Sequence, residues 1–239
     1  NKGTRPEELA VAETTVANAE KSLADSRANL QAVQNKGQAD LDSAYNSALS
    51  AGQKAVSTAK TSLLTLTDIQ YNHSSILENS DVSRTKAEAV LLLLGANDAG
   101  KWTTSSLSGL SGGAFGQVQQ AIFDPSQAKI DQALSQTSLA LQKVKNSLDS
   151  VTVSSELTST EKTSLSTEKA NVAAEITSVD AKEQAVLVQK MTNAYNLTVA
   201  NSQVNTSQNS LSTAQDTLRL REAGAASEQV AAQKARVES

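Results

Sequence analysis

A chain of 239 residues with only 3% aromatic residues, 2 prolines and 10 glycines has the composition of a rod rather than of a thick enzymatic core. The net charge of −4, without a run of basic residues, excludes the electrostatic footprint of a nucleic-acid binder. There is no cysteine, which excludes disulfides and thiolate metal sites and fits an extracytoplasmic location, and the longest apolar run, Ala89 to Leu94, is far short of the roughly 20 residues that span a bilayer.

The chain opens with Thr4 as a cap, Pro6 in a first turn that tolerates it, and Glu7 and Glu8 at the positive dipole end. A helix is expected from about Arg5 to Leu77, forming an ascending arm over 1–78 with Gly37 and Gly52 inside it. At 1.5 Å per residue such an arm reaches about 100 Å. Asn79 to Ser83 breaks the pattern and caps a second helix from about Arg84 to Leu94, which Gly95 ends. Lys101 to Gly116 is rich in Ser and Gly and reads as a packed loop or a tip. A short helix over Gln117 to Phe123 precedes the boundary signal Asp124-Pro125-Ser126, and helical spacing resumes to about Val151, so that 79–153 forms a helical insert or cap. Ser154 to Glu156 offers a new N-cap for a descending arm over 154–222. Ala223 to Ser227 interrupts that arm, leaving a joint and the start of another helix over 223–239.

The two arms carry matching seams. Leu9, Val16, Leu23 and Leu30 fall seven apart, and a step of eleven leads to Leu41, Ala48 and Ala55. Read backwards, Leu218, Leu211, Val204 and Leu197 do the same, and a step of eleven leads to Val186, Val179 and Val172. Paired in this order, each couple has numbers adding to 227. Seven-residue spacing keeps a seam facing its partner, and an insertion of four locally unwinds it. The expectation is an all-α fold: a long antiparallel two-helix coiled-coil hairpin with a small helical insert at its distal end. Gly3 and Gly224, each opening a related eight-residue stretch, form an expected paired joint.

The segment Leu218-Arg-Leu-Arg-Glu-Ala-Gly-Ala-Ala-Ser-Glu-Gln-Val-Ala-Ala-Gln-Lys-Ala, with Gly3-Thr-Arg-Pro-Glu-Glu-Leu-Ala-Val-Ala-Glu, resembles the helical-hairpin region of HlyD-type membrane fusion proteins, the periplasmic adaptor subunits of efflux and secretion systems. The resemblance covers the two arms. It implies flanking lipoyl-like and β-barrel domains, an inner-membrane transporter and neighbouring adaptor copies as partners, and a place in the cell envelope. Family members that dock a TolC-like channel carry an Arg…Leu…Ser motif at the hairpin tip. Here Leu220 and Ser227 keep the Leu-to-Ser spacing, but Asp216 takes the place of the Arg and the motif lies at the base, which argues against a TolC-like partner.

Other features read as structure. His73 is the sole histidine and reads as a solvated residue at a helix end, so no metal pair or catalytic triad forms without it. Gly109, Gly112, Gly113 and Gly116 lack the Gly-Lys-Ser/Thr of a phosphate loop and read as a flexible or tight turn. Glu7/Glu8 and Asp40/Asp42 do not match a calcium loop and read as solvated helix faces. Asn72-His-Ser, Asn196-Leu-Thr and Asn205-Thr-Ser match the glycosylation sequon by composition alone. Trp102, Phe115 and Phe123 are either the small core of the insert or a candidate docking patch. No cofactor, metal, small-molecule or catalytic constellation emerges. The function expected is a non-enzymatic spacer and partner-binding arm of an envelope adaptor, the alternative being a surface-exposed coiled-coil stalk or adhesin.

Overall fold

A computed structural model describes residues 6–73, 79–96 and 103–237. Among them the chain is all-α, with no strand: α1 (Pro6–Asn72), α2 (Ser80–Leu94), α3 (Thr104–Ser108), α4 (Gly113–Phe123), α5 (Gln127–Asp149) and α6 (Ser159–Val237). No helix of the described residues is long and apolar enough to cross a membrane. The chain forms two compact units, one of Asn1–Ala39 with Lys190–Ser239 and one of Asp40–Gln189. Both crossings fall inside the eleven-residue steps of α1 and α6.

In the first unit, burial on each helix follows an alternating spacing of three and four. On α1 it runs through Leu9, Ala12, Val16, Ala19, Leu23, Ser26, Leu30, Val33 and Gly37, and on α6 through Asn193, Leu197, Ala200, Val204, Ser207, Leu211, Ala214 and Leu218. Of the expected seam residues here, Leu23 and Leu211 are buried, and Leu9, Val16, Leu30, Leu197, Val204 and Leu218 are half-buried. Between them lies a second set, Ala12, Ala19, Ser26, Ala200, Ser207 and Ala214, which the spacing of large residues did not disclose. Ser26 and Ser207 share a hydroxyl hydrogen bond of 2.8 Å, and Arg221 pairs with Glu8 at 2.7 Å, so numbers rise on one helix as they fall on the other.

The register differs from the expected one. Asn193 Nδ2 donates to the Gly37 carbonyl at 2.7 Å, and these numbers add to 230 rather than 227. A register of 230 sets each large residue opposite a small one: Val16 opposite Ala214, Leu23 opposite Ser207, Leu30 opposite Ala200, and Ala12 opposite Leu218. Large against small keeps the pair evenly thick, whereas the 227 register would stack large on large and set Ala12, Ala19 and Ser26 opposite Gln215, Gln208 and Asn201. A seven-residue period is satisfied by either arrangement, so only the small set could choose between them. Gly37 is part of that set, because a Cβ there would stand 3.1 Å from the Asn193 side chain.

The second unit is a bundle, and α1 runs through its middle. Tyr45, Ala48, Leu49, Ala55, Val56, Ala59, Leu63, Leu66 and Ile69 are buried on several faces of this one helix. One face meets α6, where Val172, Val179 and Val186 are buried and Leu41 of α1 is half-buried. Ser62 donates to Glu168 there at 2.7 Å, again in the 230 register. Another face meets α5, through Tyr45 Oη donating to Asp131 at 2.9 Å and through Gly52, where an added Cβ would stand 3.2 Å from Leu134. A third meets α2, whose Lys86 donates to Gln70 at 2.7 Å. The segment 79–153 is therefore not a cap at the distal end. It folds back beside α1 from Gln70 to Tyr45, about 37 Å at 1.5 Å per residue, because α1 offers apolar residues there that α6 alone cannot cover.

Several boundaries move for local reasons. Helix α2 begins at Ser80 because Asn79 caps it, accepting from the amides of Asp81 and Val82. Gly95 ends it in the left-handed conformation, as expected (φ 73°). Helix α4 begins at Gly113, four residues before the expected start, and the Ser-rich stretch before it holds the short helix α3, closed by a capping box from Thr103 to Ser106. Helix α6 begins at Ser159 rather than near Ser154: Glu161 bonds the amide and hydroxyl of Thr158, whose hydroxyl accepts from the Glu161 amide. The S/T-x-x-E signature of that box was readable in the sequence. The expected interruption at Ala223 to Ser227 is absent, and α6 runs unbroken through a half-buried Gly224.

Candidate docking surfaces

Of the three residues of the expected docking patch, the described two are covered differently. Phe115 packs against the bundle core, with the Lys60 ammonium 4.9 Å above its ring. That lysine also donates to the carbonyls of Ser108 and Leu110 at 2.8 Å each, tying the turn after α3 to α1. Phe123 is 90% exposed at the end of α4, and Trp102 lies outside the described residues. Gly3, half of the expected joint, also lies outside them.

The glycines around α4 make a tight turn. The Gly112 amide donates to the Leu94 carbonyl at 3.1 Å, and a Cβ on Gly112 would come within 2.8 Å of that oxygen. Gly113 has φ 55°, and a Cβ there would stand 2.5 Å from the Leu92 carbonyl. These two glycines let the start of α4 press against the end of α2, a packing role. Gly109 touches nothing within 4 Å of an added Cβ.

His73 is not a solvated helix end. Its Nε2 lies 2.9 Å from Glu161, and both side chains are mostly covered. The carboxyl of Glu161 is held down to about 2, first by the Thr158 amide and hydroxyl and then by His73. One carboxylate thus caps the start of α6 and ties it to the end of α1. Among the described residues no group of three or more His, Cys, Asp or Glu side chains could hold a metal ion.

Lys86 is a buried charge that sequence reasoning passed over, only 4% exposed, and desolvation lowers its ammonium to about 8. It donates to the neutral amide of Gln70. Glu175 is a second buried charge, 4% exposed and paired with the exposed Lys54 at 2.7 Å. At the surface Lys143 holds Glu88 down, and Lys145 holds Asp149 down. Glu183 is pushed up, chiefly by burial and then by Asp180 and Asp131.

The first unit carries a groove of about 570 Å³ on one flank of its helix pair, with Val11, Ala12 and Ala214 among its lining and the Glu8–Arg221 ion pair at one end. On α6 of the same unit Met191, Tyr195 and Val199 are exposed. No family model matches the chain, and no curated protein or solved structure matches it.

Proposed function

We propose that this chain is a non-enzymatic structural module, the α-helical hairpin of an HlyD-type membrane fusion protein in an envelope efflux or secretion complex, acting outside the cytoplasm as a spacer and docking arm. In this reading α1 and α6 are the two arms of an antiparallel coiled coil, and α2 to α5 are an insert packed against them. The observation that supports it is the seam: helices of 67 and 79 residues meet antiparallel, through Ser26–Ser207 and Gly37–Asn193 in one unit and through Ser62–Glu168 in the other. A helix pair that buries one stripe against each other, as in the first unit, offers no enclosed site for a substrate. The partners proposed are an inner-membrane transporter and neighbouring adaptor copies. A TolC-like channel is not proposed, since Asp216 stands where the docking Arg belongs.

A surface-exposed stalk or adhesin is the second reading. It is favoured by the apolar core of the second unit, the kind of support a receptor-binding head needs. Protease treatment of cells separates the two. An adaptor is cleaved only after the envelope is opened and co-purifies with an inner-membrane transporter. Cleavage on intact cells, with no transporter recovered, would discard the adaptor reading in favour of the stalk.

A further inference from the structure

Helix α2 lies against α1 with an ammonium group between them. Lys86 is 4% exposed, and Val82 and Val90, four residues to either side and so on the same face of α2, are buried with it. It donates to the side-chain oxygen of Gln70 on α1 at 2.7 Å, and the nitrogen of that amide donates to Ser83 of α2 at 3.2 Å. Gln70 is itself 4% exposed. Both of these bonds between α2 and α1 run through one neutral amide, which leaves the charge uncompensated.

The charged and titratable groups on the elements around Lys86 are engaged elsewhere. On α2, Arg84 pairs with Glu88 and Asp81. On α5, Lys143 pairs with Glu88, and Asp149 with Lys145 and with Lys169 of α6. On α1, Asp68 accepts from Thr104 of α3, and His73 meets Glu161 of α6. Burial is the cause of the lowering of the Lys86 ammonium to about 8.

A charge buried against a neutral acceptor favours any state that returns it to water, and an uncharged amine does not. The two forms differ by one proton, held where two helices meet, so parting those helices relieves the cost. We propose that the α1–α2 contact is a proton-operated clasp: with Lys86 charged it opens locally to water, and with Lys86 neutral it stays shut. Opening uncovers Val82 and Val90, so the clasp sets how often an apolar face of α2 is presented. Its direction follows from the lowered ammonium: the penalty on the closed contact is full below about 8, shrinks as pH rises, and is gone above 10.5. The clasp is therefore loosest at neutral pH and tightens in alkali. The inference holds for an adaptor and for a stalk alike.

The chain has no cysteine, so a single buried thiol reports the opening. Val82→Cys, at a 1% exposed position one turn from Lys86, is labelled with a thiol reagent at neutral and at alkaline pH. Each rate is divided by that of the same variant unfolded in urea at the same pH. Ala133→Cys on α5, also at a 1% exposed position, reports global unfolding. At about pH 7, Val82→Cys should be labelled at least about tenfold faster than Ala133→Cys, because local opening disrupts less of the structure. Between about pH 7 and pH 10 its labelling should fall roughly seventyfold, the factor set by one proton bound at about 8 when closed and 10.5 when open. Lys86→Met in the same variant should hold the neutral rate near the slow alkaline one. Equal rates at the two cysteines would overturn the proposal, since only global unfolding would then expose Val82. A fall that survives Lys86→Met would overturn it as well. Circular dichroism checks that each variant is helical, and Ala89→Cys, at a 0% exposed position on the same helix, replaces Val82→Cys if that variant does not fold.

Discussion

The two units are built on the same pair of helices and bury residues by different means. In the first, α1 is covered along one stripe, and most positions between its seam residues are exposed. In the second, the same helix is covered on several faces by α2, α4, α5 and α6, and the whole apolar core cluster lies there, from Tyr45 to Val186. A two-helix seam must rest on the fit of a few residues against each other, because no third layer compensates for a poor one. A bundle pools many contacts, and a single misfit is shared. The difference teaches that small residues hold the register in one unit, while bulk holds the other.

The largest effect expected follows from that bulk. Leu141→Ala, at a fully buried position of α5, should cost about 2–5 kcal/mol in urea unfolding, whereas Leu30→Ala in the half-buried seam should cost about 1 kcal/mol. Equal costs would mean that the seam is as well enclosed as the bundle.

Lys86 sharpens the comparison through pH. Burial lowers its ammonium to about 8 from the usual 10.5, so between those values the unfolded chain holds a proton that the folded chain has released. Stability therefore rises with pH across that window, on the order of 3 kcal/mol in all, and levels off below it, where both forms are charged. Lys86→Met should remove this rise, as read from urea midpoints between pH 7 and 10.5. A rise that survives the substitution would place its origin elsewhere.

In the seam, overpacking should be felt where the bundle would absorb it. Ala214→Leu puts a large residue opposite Val16 and should cost about 1–3 kcal/mol, and Val16→Ala in the same chain should recover part of the loss. No recovery would mean that the two positions do not face each other and that the 230 register is wrong. The smallest effect is expected at the rim. Glu8→Gln breaks an ion pair with Arg221 in which both side chains are about half exposed, and should change stability by less than about 0.5 kcal/mol.

Much of this was legible in the sequence. Leu9, Val16, Leu23, Leu30, Leu197, Val204, Leu211 and Leu218 stand out because large apolar residues dominate any hydropathy pattern. Ala12, Ala19, Ser26, Ala200, Ser207 and Ala214 do not, although they too fall seven apart, and without them the register slips by three. The thickness of the second unit was also written in α1. Adjacent pairs such as Ala48-Leu49, Ala55-Val56 and Leu63-Leu64 point to more than one face, which a helix in a two-stranded coil has no use for. The back-folded insert that covers those faces was not legible, because the seam pattern says nothing of what lies beside it. Nor did the sequence show that Phe115 and Phe123, eight apart on one helix, differ in what covers them.

The central claim is that the first unit is held by its seam and the second by its core, and native-state hydrogen exchange tests it most directly. Amides of residues 45–70 and 130–148 should exchange only through global unfolding, and those of residues 9–37 and 193–218 through local opening at least about a hundredfold more frequent. Equal protection of the two sets would show that the seam is as stable as the bundle and would contradict the account.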